Sequence, residues 1–81
     1  MSENTNLQEE LILCVQQFTD IIPSSIYFRD NSKAVIVEFE DTIPKLKTRK
    51  KIKVALRIFG EVLMATNYEP KPYVRFYVFM T

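Results

Sequence analysis

Two short runs, residues 25–29 (SIYFR) and 34–40 (AVIVEFE), constrain this chain more than anything else in it. Both are rich in β-branched and aromatic residues, and the turn formers Asp30, Asn31 and Ser32 separate them, the pattern of a β-hairpin. A two-residue turn pairs Asp30 with Lys33, Phe28 with Val35 and Ile26 with Val37. Ile26, Phe28, Val35, Val37 and Phe39 then share one face, and Tyr27, Arg29, Ile36 and Glu38 share the other. Slipping by one residue would send every core side chain to the wrong face, so the pattern supports this register.

The rest of the chain must cover the apolar face. Leu7, Leu11, Cys14, Val15 and Phe18 recur at helical spacing, with Asn6 and Glu9 placed as a capping box and Pro23 as a stop. From about residue 44 to 66 the pattern again predicts helix, with Asp41 or Thr42 as cap and Ile52, Ala55, Leu56, Phe59, Val62 and Leu63 as its buried stripe. About 23 helical residues would span roughly 34 Å, whereas a seven-residue strand reaches only about 23 Å. Such a helix overhangs the sheet unless it bends near Gly60. Two prolines, Pro70 and Pro72, precede the last run, in which Val74, Phe76, Val78 and Met80 alternate with Tyr73, Arg75, Tyr77 and Phe79.

The expectation is a small α+β domain, 1–81, ordered α-β-β-α-β, with two helices packed on one face of a three-stranded sheet and residues 1–5 as a flexible N-terminal tail. That order resembles, in topology, the type II KH domain and a ferredoxin-like fold without its first strand. The GxxG loop with which KH domains clamp an RNA backbone is missing from this sequence, so the resemblance carries no functional residue onto it.

Composition narrows the chemistry. The chain has no histidine, one glycine (Gly60) and one cysteine (Cys14). Without histidine it lacks the commonest general base, every Ser–His or Cys–His nucleophile pair and the usual zinc sets. One glycine cannot build a phosphate-cradling loop. The expectation is therefore no enzyme, no cofactor and no metal. A single cysteine suits a reducing compartment, the acidic start MSENTN is unlike a signal peptide, and the longest apolar run, 11–15, is too short for a bilayer. A cytoplasmic protein without a membrane partner is expected.

A formal net charge of +1 hides a division of the chain. Residues 1–41 carry eight acids and two bases; residues 42–81 carry nine bases and two acids. Six of those bases fall within residues 45–53: Lys45, Lys47, Arg49, Lys50, Lys51 and Lys53, with Arg57 one turn on. Cations at a helix N-terminus oppose its dipole and repel one another, at about a few tenths of a kcal/mol per contact. That pattern marks an anion site, with phosphates as candidates, or a solvated face that pairs with Glu38, Glu40 and Asp41.

A second candidate is the outer sheet face, where Tyr27, Arg29, Tyr73, Arg75, Tyr77 and Phe79 come together if the last strand joins the hairpin. It serves as a dimer interface, as a face covered by the connector, or as a platform for stacking bases. The functional expectation is a small non-enzymatic nucleic-acid-binding or nucleic-acid-associated accessory protein (RNA or DNA) that uses a basic helix. The alternative is a protein-interaction module: a homodimeric subunit, or a small inhibitor docking on an acidic partner.

Overall fold

The computed structural model describes residues 3–29, 31 and 33–80, with side chains from residue 6 onward. Along the chain lie α1 (Glu3–Gln16), β1 (Ser25–Arg29), β2 (Ala34–Glu40), α2 (Leu46–Leu56), β3 (Glu61–Asn67) and β4 (Tyr73–Phe79). The four strands form one antiparallel sheet in the order β1-β2-β4-β3.

The hairpin has the register that the alternation demands, Ile26 opposite Val37 and Phe28 opposite Val35. Asn31, at φ 56°, adopts the left-handed conformation of its turn. Asp30 and Ser32 lie outside the described residues, and with them the expected Asp30–Lys33 pair. Ser24 extends the hairpin: its N–H donates to the Glu38 carbonyl and its hydroxyl accepts from the Glu40 N–H.

The sheet has four strands, not three, and the order is α-β-β-α-β-β. The expected long second helix divides at Gly60. That residue has φ 155°, and a Cβ there would stand 2.2 Å from the Phe79 carbonyl oxygen. Only glycine fits the conformation and the space together. The chain then turns into β3, whose Val62 is buried and whose Leu63 is exposed, so the helical stripe ends at Phe59. The division removes the overhang, because an 11-residue helix spans about 16 Å and fits under the strands. With the extra strand, the topological likeness to the KH and ferredoxin-like arrangements lapses.

Two expected caps also differ. Asn6 lies within α1, so the capping box is not formed there. Asp41 takes a positive φ of 65° in the turn after β2, and α2 starts only after Pro44, with Lys45 as N-cap and no side-chain capping bond. Of the expected N-terminal tail, residues 3–5 belong to α1, and Met1 and Ser2 lie outside the described residues.

The core combines Leu11, Cys14 and Val15 of α1, Ile52 and Leu56 of α2, and the inward residues Val35, Val37, Phe39, Val62, Val74, Phe76 and Val78. Phe39 and Phe76 meet edge to face with ring centres 6.2 Å apart, an arrangement that adds about 0.5–1.5 kcal/mol beyond its buried area. Phe18, expected in the α1 stripe, lies past the helix end and is partly exposed. Gln8 ties α1 to edge strand β1 by donating to the Ile26 carbonyl. Both helices join this one core and leave the opposite sheet face without a helix, although Ala34, Ile36 and Glu38 of β2 on that face are buried as well. No helix among the described residues is long and apolar enough to cross a membrane.

Candidate anion-binding surface

Helix geometry sorts the basic stretch into two populations. Successive residues turn by about 100°, and the buried arc of α2 holds Arg49, Ile52 and Leu56. Lys47, Lys50, Lys51 and Arg57 occupy the exposed arc, Lys45 is exposed at the N-cap, and Lys53 is half-buried. No acid stands in the first turn of α2. Among the described residues the one ion pair is Arg75–Glu38, so none of these cations has a carboxylate partner there. Glu38, Glu40 and Asp41 do not neutralise the helix.

Lys53, in the last turn, is favourably placed at the negative end of the helix dipole. Lys45 and Lys47 are at the unfavourable end. The first N–H groups of α2 point out uncapped between them, and such groups attract anions.

Arg49 departs from the sequence expectation of a solvent-facing cation. It is only 6% exposed. Its Nη1 donates to Thr66 Oγ1 and Tyr68 OH, and its Nη2 to Tyr68 OH, each at 3.3 Å. Its Nε is buried with no partner among the described residues. Bonded to neutral hydroxyls, the guanidinium cross-links α2 to the end of β3. It faces away from the exposed lysines and is not available to a large ligand.

Apolar side chains interrupt the basic face. Phe18, Val54 and Ala55, with Lys50 and Lys51, line an open groove of about 450 Å³. Ile58, just beyond α2, is 80% exposed. The apolar members, Phe18, Val54, Ala55 and Ile58, carry no site role in the sequence pattern; the signal for them is Val54 lying between lysines at one-turn spacing on the same arc.

The outer sheet face gathers all six of its expected residues: Tyr27, Arg29, Tyr73, Arg75, Tyr77 and Phe79. Arg75 is not free to meet a ligand. Its Nε donates to Glu38 Oε2 at 2.5 Å, and its guanidinium lies 4.2 Å from the Tyr73 ring centre. The Glu38 carboxylate, followed by Tyr77, holds Arg75 firmly protonated. Burial, and then the Glu38 charge, pushes the Tyr27 phenol above its ordinary value.

At the Glu40–Tyr73 end of the face, Pro70, Lys71 and Pro72 wall a groove of about 410 Å³ with Tyr27, Glu38, Asn67 and Arg75. The connector thus borders one end of the face without covering it. The residues missed here are Glu61 and Leu63, hidden by reading β3 as helix.

No family model, curated protein or solved structure matches the chain. Its chemistry is therefore read from its own residues. Among those described, no three His, Cys, Asp or Glu side chains converge as metal ligands would. Burial pushes the Cys14 thiol above its ordinary value, away from the thiolate a nucleophile needs.

Proposed function

We propose that the chain is a small, non-enzymatic nucleic-acid-binding accessory protein whose α2 contacts phosphates through Lys45, Lys47, Lys50, Lys51 and Arg57, with Lys53 at the margin. One observation carries the reading: exposed cations crowd a helix that has no acid in it and no carboxylate partner among the described residues. The uncapped N-terminus of α2 adds donors for an anion at the same end. The contacts are to backbone charge, so the binding is electrostatic and weakly selective for sequence.

The experiment is a mobility-shift titration of single- and double-stranded RNA and DNA at low salt. Wild type shifts the probe, and the triple variant Lys47→Glu, Lys50→Glu, Lys51→Glu, still folded by circular dichroism, does not. Failure of wild type to shift any of the four probes eliminates the reading.

A second reading has its own support. The groove of Phe18, Val54 and Ala55 with lysine sides suits an acidic amphipathic segment of another protein, whose apolar stripe would fill it while its acids meet Lys50 and Lys51. Val54→Asp separates the two readings. It spoils an apolar groove outright, whereas it lowers phosphate affinity only by one unit of charge.

A further inference from the structure

The sheet register places the residues of the open face in rows, one residue per strand, in the order β1, β2, β4, β3. The first row is Arg29, Ala34, Phe79, Glu61; the second is Tyr27, Ile36, Tyr77, Leu63; the third is Ser25, Glu38, Arg75, Ala65. Read from opposite ends, each row is complementary to itself. Arg29 at one edge answers Glu61 at the other, and Glu38 answers Arg75. Small Ala34 answers large Phe79, Leu63 answers Tyr27 and Ile36 answers Tyr77, while Ser25 and Ala65 are small at both ends of the third row.

We propose that the open sheet face is the interface of a two-fold symmetric dimer of this chain, with β1 of each copy over β3 of the other and β2 over β4. A rotation axis lying between the two sheets, roughly along the strands, reverses the strand order while keeping each row opposite itself. Arg29 then meets Glu61 of the partner subunit, Phe79 crosses the β2 strip of the partner subunit, where Ala34 and Ile36 are already buried within their own chain, and Tyr27 lies against Leu63 of the partner subunit. Arg75, already bonded to Glu38 of its own chain, comes over Glu38 of the partner subunit, which gives a central network of two arginines and two glutamates. Setting the axis about 15° off the strands produces the roughly 30° crossing at which twisted sheets pack.

Three properties favour a second copy as occupant. The charges of the three rows sum to zero and the next row, Glu40, Tyr73 and Asn67, adds one acid, so the face attracts no polyanion, while the placement of charge in the three rows suits its own reversed image, as an isologous contact requires. The middle row is apolar and aromatic and leaves Leu63 54% exposed, and an aromatic centre with a charged rim is the usual make-up of an interface core. The area suits a weak dimer: four strands at about 4.8 Å spacing and roughly 20 Å of length give about 400 Å² in projection, or about 800 Å² for the pair, below the roughly 1,200 Å² of stable interfaces. The helices lie on the other face, so α2 of both copies stays exposed. The dimer and the nucleic-acid reading therefore stand or fall separately.

The test is sedimentation equilibrium from about 10 µM to about 1 mM, a range that brackets moderate affinity. Wild type approaches twice the chain mass of 9.6 kDa. Arg29→Glu and Glu61→Arg each weaken dimerisation by about tenfold or more, since each sets like charges face to face at two places. An equimolar mixture of the two single variants restores the dimer as a heterodimer, because every like-charge contact becomes an opposite one. Within one chain these residues lie three strand spacings apart, about 14 Å, so rescue cannot come from an internal bond. Leu63→Asp gives a folded monomer by a route independent of the swap. A wild type that stays at 9.6 kDa throughout overturns the proposal. So do single variants that dimerise normally, or a mixture that fails to restore association.

Discussion

Gly60 lies against Phe79 so closely that a Cβ on the glycine would stand 2.2 Å from the Phe79 carbonyl oxygen. The contact joins the start of β3 to the end of β4, and it permits the chain to leave α2 and enter the sheet. Gly60→Ala is expected to cost more than about 2 kcal/mol, from a backbone conformation that side chains avoid plus a clash with main chain. Urea denaturation measures it; a loss within about 0.5 kcal/mol would contradict the packing described.

Arg49 makes a contrasting pair of predictions. Tyr68→Phe removes the acceptor of two of its three hydrogen bonds and is expected to cost about 1–3 kcal/mol by leaving buried donors unsatisfied. Arg49→Met removes the buried charge with its desolvation cost, and is expected to be neutral or stabilising by up to about 2 kcal/mol. Nucleic-acid affinity should be unchanged in Arg49→Met, which separates Arg49 from the exposed lysines.

Arg75→Ala strands a carboxylate, since Glu38 is only 6% exposed. The expected loss is about 2 kcal/mol, reduced from the figure for a fully buried pair because Arg75 is one-third exposed. Glu38→Gln keeps an acceptor for Arg75 and should cost less than half as much in the same denaturation series. Equal losses would contradict the assignment of Glu38 as the buried partner.

Cys14 sets a pH dependence. Burial raises its folded value above the ordinary 9.0, so the folded chain holds the proton more tightly than the unfolded one. The corresponding stability is whole below about pH 9 and is lost as pH rises through the folded value. Tyr27 acts with the same sign from its ordinary 10.0 upward. Thermal melts of wild type and Cys14→Ala from pH 7 to pH 10 should therefore fall with different slopes above pH 9, the variant less steeply. At neutral pH the thiol should react with iodoacetamide only as fast as the chain opens.

The hairpin, its register and both faces of β4 were legible because a slip of one residue would take Ile26, Phe28, Val35 and Val37 off the core; the burial of Ile36 and Glu38 on the other face of β2 was not. Nor was the second helix. In residues 61–67 Val62, Leu63 and Thr66 satisfy a helical spacing while Val62, Met64 and Thr66 satisfy an alternating one, and local pattern alone does not choose between them. The excess of helix length over strand length was the available clue, and Gly60 was where it pointed. The basic stretch was legible as charge, but Arg49 was misplaced within it. Arg49 lies three and seven residues before Ile52 and Leu56, so helical spacing already put it on the buried stripe; its partners Thr66 and Tyr68 belong to the end of β3, which the helix reading hid. The complementary rows of the outer face needed β3 and were beyond reach without it.

The central claim is that the exposed cations of α2 hold phosphates, and the dependence of affinity on salt tests it most directly. For five phosphate contacts the plot of log K against log salt should fall with a slope of about −4.5 on duplex DNA, or about −3.5 on single strands. Lys50→Ala and Lys51→Ala should each flatten it by about one. An affinity that stays constant between about 50 and 200 mM salt, or no binding at the lower end, would contradict the account.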